Sequence, residues 1–152
     1  MRQPHDASGL ERAMGYSFSD RRLLIRALTR LAYAKERGLD PAAHMDALAT
    51  LGDAVIDVVV IQSLVAAGEH DKGLITNRKT NCVNMTVLRR LAEQLSVETY
   101  VYWGKGEEAQ GVWTSGRVLA ECMEALIGAV YLDGGIDAAA RVLAKIGLRC
   151  EI

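Results

Sequence analysis

Three acidic side chains stand where an ordinary helix core would hold neutral ones. Asp53 follows Gly52 inside a long apolar segment, and Glu121 and Glu124 lie within Leu119-Ala120-Glu121-Cys122-Met123-Glu124-Ala125-Leu126-Ile127-Gly128. Residues three or four apart share a helix face, so Glu121 and Glu124 point the same way. Asp46, seven residues before Asp53, shares that residue's face at ~10 Å along the axis. A carboxylate in apolar surroundings is costly unless a cation neutralises it. If the two segments cross, Asp53, Glu121 and Glu124 converge on a hard divalent ion. Mg2+ suits such a set, since it needs few carboxylates and keeps several waters. A structural reading competes, in which the glutamates line a solvated stripe or pair with Arg22, Arg26 or Arg117. His5, His44 and His70 are scattered, which argues against zinc. Nothing has the pattern of a nucleophile elbow. Gly104-Lys105-Gly106 is too short for a phosphate-cradling loop and is not followed by Ser or Thr.

Helices must position these groups. The chain has 152 residues, half of them apolar and 24% charged, which suits one folded domain spanning 1–152 with a real core. Only Pro4 and Pro41 interrupt it, and Ala, Leu, Arg and Glu dominate, so the expected fold is all-α, with six to eight helices packed around a central long one. Ser8 is placed to cap a first helix ending near Gly15. Asp20 is placed to cap a second, with Leu23, Leu24, Ala27, Leu28 and Leu31 as its apolar stripe and Gly38 as its end. Pro41 can open a third helix running through Ala67, on the order of 40 Å long. Its β-branched middle, Ala54 to Ile61, reads alone as a buried strand, but no turn signal flanks it and no partner strand follows. Gly73 to Leu95 predicts one or two helices with Leu88 and Leu91 inward. Val101 to Gly116 reads as a loop. Arg117 to Leu132 predicts a helix ended by Asp133-Gly134-Gly135, and Asp137 opens the last.

The net charge is −1 but unevenly spread: residues 41–70 hold four acidic residues and no Lys or Arg, and 71–90 hold five Lys or Arg against one Asp. Alternating blocks suit a protein that offers carboxylates to a metal and cations to a polyanion, although ordinary solvated faces explain them equally well. Cys82, Cys122 and Cys150 are odd in number and lack metal-site spacing, so they read as reduced thiols in a cytoplasmic protein. Met1 to His5 lacks the apolar stretch of a signal peptide. The longest aliphatic run, Val58 to Ile61, is flanked by Asp57 and Gln62, so no membrane-spanning segment is expected.

Four ordered motifs resemble the ribonuclease III catalytic domain. Leu51-Gly52-Asp53-Ala54-Val55-Ile56-Asp57 is similar to the end of its signature, N-E-R-L-E-F-L-G-D-A-V-L. Gly15-Tyr16-Ser17-Phe18 with Leu23-Leu24 and Ala27-Leu28-Thr29 resembles its opening G-Y-x-F…L-L…A-L-T-H, with Arg30 standing for the His. Trp103-Gly104-Lys105-Gly106-Glu107 resembles L-G-K-G-E, and Leu119 through Gly135 resembles L-A-D-x-x-E-A-L-I-G-A-I-Y-L-D-G-G. The match covers about Leu10 to Leu143.

The resemblance implies an all-helical homodimer that hydrolyses phosphodiesters of double-stranded RNA with Mg2+, or with Mn2+ in its place. It implies a carboxylate set that here becomes Asp53, Glu121 and Glu124. Asp46 falls on the first Glu of the signature, and Ala49 stands where the second Glu would be a metal ligand. That loss predicts a weaker site. The alternative is a catalytically inactive member of the fold that binds structured RNA or a ribonucleoprotein. Thr50 replaces a Phe that plugs into the partner subunit, and Lys72 stands where many members have an acidic residue. With Arg78 and Lys79, Lys72 is a candidate for contacting RNA phosphates. A double-stranded-RNA-binding domain is not expected within 1–152.

Overall fold

A computed structural model describes residues 6–150, so Met1 to His5 lie outside the described residues. Among the described residues eight α-helices follow in chain order: α1 Ser8–Met14, α2 Arg21–Ala27, α3 Leu31–Glu36, α4 Asp46–Ala66, α5 Lys72–Cys82, α6 Met85–Gln94, α7 Lys105–Gln110 and α8 Gly116–Ile146, with short 3-10 turns at Val97–Thr99 and Val112–Thr114. No strand occurs among the described residues, and the fold is all-α as expected. The long helix α4 packs along α8, and α6 and α2 also pack against α8.

Asp20 caps its helix as expected, and Asp71 and Asn84 act as further caps that the sequence reading did not name. Asp20 accepts from the Arg22 amide, Asp71 from Leu74 and Asn84 from Val87, each covering a helix-start N–H that has no intrahelical partner. Gly15 takes φ 69° to close α1, a left-handed conformation that favours glycine. The cap of α1 is Ala7 rather than Ser8. Leu88 and Leu91 are buried on α6, as their spacing predicts. Gly135, at φ 85° and ψ −175°, breaks α8 where Asp133-Gly134-Gly135 was expected to end one helix and Asp137 to begin the next.

Further expectations are corrected. The third helix begins at Asp46, not Pro41, because residues 41–45 form turns and the Met45 amide donates to the Thr29 carbonyl instead. Its 21 residues span ~30 Å. The second helix does not run on to Gly38. It stops at Ala27, and α3 restarts at Leu31, because Arg30 N–H donates to Tyr102 O and Tyr102 N–H to Leu28 O. Within the stretch read as a loop, Lys105–Gln110 is helical, started by the Glu107 side chain accepting from the Gly104 amide at 3.2 Å. Finally, Cys82 and Cys150 are joined by a disulfide across 68 residues of chain, and only Cys122 is a free, buried thiol. Three cysteines can form one bridge and leave one thiol over, so an odd count does not exclude a disulfide.

By length and composition α4 could cross a membrane, contrary to expectation: its most apolar 18-residue stretch has a mean hydropathy of 1.8. A third of that stretch is buried, against α8. Its outer side keeps Ala54, Val58 and Val65 exposed, the valines by half.

Candidate metal pocket at the α4–α8 crossing

Two glycines set the crossing. A Cβ at Gly52 would overlap the carbonyl oxygen of Glu124, and one at Gly128 would overlap that of Leu48. Helix axes ordinarily stand 8–10 Å apart. Here the backbones themselves touch, so Asp53 on α4 and Glu124 on α8 are brought side by side. Glycine at position 52 therefore marks the contact between helices, not a weak point within one.

The two carboxyl groups are placed to share a hydrogen bond when one of them holds a proton. Burial is the main cause that pushes the Glu124 carboxyl up, to about 8, and the hydrogen bond and charge of Asp53 add to it, followed by the charges of Glu121 and Asp57. Asp53, Glu121 and Glu124 line the same pocket. Asp46, Ala49 and Thr50 complete that pocket, and Asp57, Asn84 and Arg117 line a second hollow on the far side of the same three carboxylates. Asp46 is exposed at its outer end, with His44 Nδ1 at 3.8 Å. The Ala49 methyl is half-buried in the wall.

The donor chemistry suits a hard divalent ion: the pocket presents carboxylate oxygens from Asp53, Glu121 and Glu124. The spacing is more open. Among the described residues no three His, Cys, Asp or Glu side chains stand close enough together to grip a metal at once.

Glu121 explains the gap. Its Oε2 accepts from Arg30 Nη1 at 3.4 Å, and its Oε1 lies 3.8 Å from Arg117 Nε. Arg30 is held far more firmly by Glu107, with Nη2–Oε2 at 2.8 Å and Nε–Oε2 at 3.0 Å. Burial works against the guanidinium's charge, but the hydrogen bonds and charge of Glu107 outweigh it and raise its pKa. The guanidinium also lies 5.7 Å from the centroid of the buried Trp103 ring. Of the three arginines considered as partners for the glutamates, Arg117 is near. Arg26 Nε instead donates to the His44 carbonyl, and Arg22 pairs with Asp20.

Sequence reasoning missed Arg30, Glu107 and Asp57. Arg30 and Glu107 both lie inside motifs that the sequence displays, yet their 77-residue separation is closed only by the Leu28–Arg30 break and its bonds to Tyr102. Asp57 follows Asp53 by one turn, a spacing that could have placed it on the pocket. Among the candidate phosphate contacts, Lys72 is exposed at the start of α5, Arg78 lies 3.7 Å from Glu69, and Lys79 Nζ lies 3.4 Å from Asp57. A larger cavity, about 420 Å3, lies at the far end of α4 beside Ile136, Leu148 and Cys150 and shares none of the pocket's carboxylates.

Fold and pocket together define an all-helical protein with an acidic cleft formed where two glycine-bearing helices touch. The chain belongs to the ribonuclease-III-like family, whose model matches residues 20–149. It is 39% identical over 138 residues to a ribonuclease 3 of Oleidesulfovibrio alaskensis, covering 90% of this chain and 60% of that protein. It is 35% identical over 135 residues to a ribonuclease 3 of Caldanaerobacter subterraneus, covering 88% and 59% respectively. The chain thus spans about 60% of the length of these curated relatives. The nuclease domain of ribonuclease III from Campylobacter jejuni, whose crystal structure is described for flexibility in a region involved in dimer formation, superimposes with a TM-score of 0.83 at 27% identity. That match covers 93% of this chain and 95% of the other.

Proposed function

We propose that the protein is a divalent-metal-dependent endoribonuclease that hydrolyses phosphodiesters of double-stranded RNA. The observation that carries the reading is the placement of Asp53 and Glu124 side by side at the glycine crossing, with Glu121 on the same pocket wall. Asp53 and Glu124 would hold Mg2+ or Mn2+, with Glu121 as a third ligand and Asp46 at the outer rim. A bound divalent ion supplies the acidification of a water and the neutralisation of charge on a leaving oxygen. The chain's own part is to fix the place of attack: the backbone contact at Gly52 and Gly128 holds the two carboxyls together, and Glu124 must give up its proton before the pair can take a cation. Ala49 offers no oxygen, so the site is weaker than one with a carboxylate there.

Lys72, Arg78 and Lys79 would meet the phosphates. Recognition by backbone and shape suits duplex RNA, whose deep groove hides the base edges. A cytoplasmic location would suit that substrate, but the Cys82–Cys150 disulfide removes the reduced-thiol argument for it. A homodimer would cover the exposed apolar side of α4, with Ala54, Val58 and Val65 at the contact.

Incubating long duplex RNA with and without Mg2+, with Glu124→Ala as control, tests the reading. Metal-dependent cleavage that the variant loses is the expected result, and its absence at every Mg2+ and Mn2+ level would overturn it. Ala49→Glu is expected to tighten metal binding and raise the rate. A second reading, an RNA-binding protein without cleavage, is favoured by Ala49 and by the engagement of Glu121 with Arg30.

A further inference from the structure

Three carboxylates line one pocket, yet one of them, Glu121, is bonded to a cation carried by the chain itself. Arg30 divides one guanidinium between α7 and α8: Glu107 takes its Nε and Nη2, and Glu121 takes the remaining corner, Nη1, at a longer 3.4 Å. The Arg30 side chain is 14% exposed and Glu107 18%, so their mutual attraction is screened less than that of a surface pair. Arg117, with its side chain 82% exposed, contributes little to holding Glu121.

We propose that Arg30 is a positioning residue that holds Glu121 back from the metal pocket, in a contest between Glu107 and Glu121 for one guanidinium. The inference rests on the metal-dependent reading of the pocket given above. A divalent ion and Arg30 compete for the same carboxylate, so the site's affinity is set by how firmly Glu107 keeps the guanidinium. This contest has a signature that a merely structural arginine lacks. Removing the guanidinium frees Glu121 and strengthens metal binding. Removing the charge of Glu107 sends the guanidinium to Glu121 and weakens it.

The test is titration of the full chain with Mn2+ alone, with free Mn2+ read by electron paramagnetic resonance and no RNA present. Arg30→Gln is expected to bind the ion more tightly, by on the order of tenfold, the size that one half-screened charge carries at this distance. Arg30→Lys should shift affinity the same way, because a single ammonium stays with Glu107 and cannot bridge both carboxylates. It also spares Glu107 an unpaired burial if Arg30→Gln proves unstable. Glu107→Gln, which keeps an oxygen for the Gly104 amide, should bind several-fold more weakly. Shifts of the same sign for the Arg30 and Glu107 variants, or no shifts, would overturn the inference while leaving the site intact. Binding that Asp53→Asn does not reduce, in any of these proteins, would overturn the metal reading and this inference with it.

Discussion

Gly52 on α4 and Gly128 on α8 face each other across the helix crossing, each packed against the other helix's backbone so closely that a methyl group would overlap a carbonyl oxygen. The obstacle in both cases is backbone, which cannot rotate aside as a side chain can. Gly52→Ala or Gly128→Ala should therefore cost ~3 kcal/mol or more, at the upper end of what overpacking produces. Thermal unfolding checks the loss. A surviving fold should show its helices spread and the Asp53 and Glu124 carboxyls moved apart.

Glu124 makes stability depend on pH. Its carboxyl is raised from 4.5 to about 8 in the fold, so the folded state holds the proton more tightly than the unfolded one. The contribution is fully present below about pH 4.5 and is lost as pH climbs towards 8. In a chelator, denaturant midpoints should fall across that window for the wild type and stay flatter for Glu124→Gln.

Asp133 works in the opposite sense. Partial burial raises its carboxyl, but hydrogen bonds from the Tyr16 hydroxyl at 2.6 Å and the Ser19 and Asp20 amides outweigh that and hold it below its ordinary value of 3.8. Its contribution is present above that value and disappears as acid drives pH through the depressed one. Asp133→Asn should lose stability near neutrality, by ~1 kcal/mol, and should show less further loss on acidification. Circular dichroism during an acid titration would show it.

The Cys82–Cys150 bridge ties the end of α5 to the chain beyond α8. Closing 68 residues constrains the unfolded chain by up to ~4 kcal/mol on a loop-entropy account. Adding a reductant, or making Cys82→Ser, should lower the melting temperature, and the reductant should then do nothing further to the variant.

Much of the helical plan was legible because it is local. The Asp20 cap, the Gly15 terminator, the Leu88 and Leu91 spacing and the Gly135 break are each written within a few residues. So was the pocket's makeup, since Asp53, Glu121 and Glu124 stood out as carboxylates in apolar segments, and they do line one cleft. What was hidden depends on contacts distant in sequence. The stripe from Leu23 to Leu31 promised one helix, and only Tyr102, some seventy residues on, interrupts it. Pro41 was a sound helix opener, overruled by the hydrogen bond between Met45 and Thr29. Lys105–Gln110 looked too polar and glycine-rich for a helix, and it is started by its own Glu107. No spacing rule could link Cys82 to Cys150 or Arg30 to Glu107.

Glu107 has two attachments at once, since Oε1 takes the Gly104 amide that starts α7 and Oε2 takes the Arg30 guanidinium. Anyone grafting a different turn between Trp103 and Trp113 would thus be rewiring the cleft's electrostatics as well as its outer contour. A swap that preserved the turn's length but dropped this one acid would leave the backbone trace nearly unchanged and the arginine re-aimed.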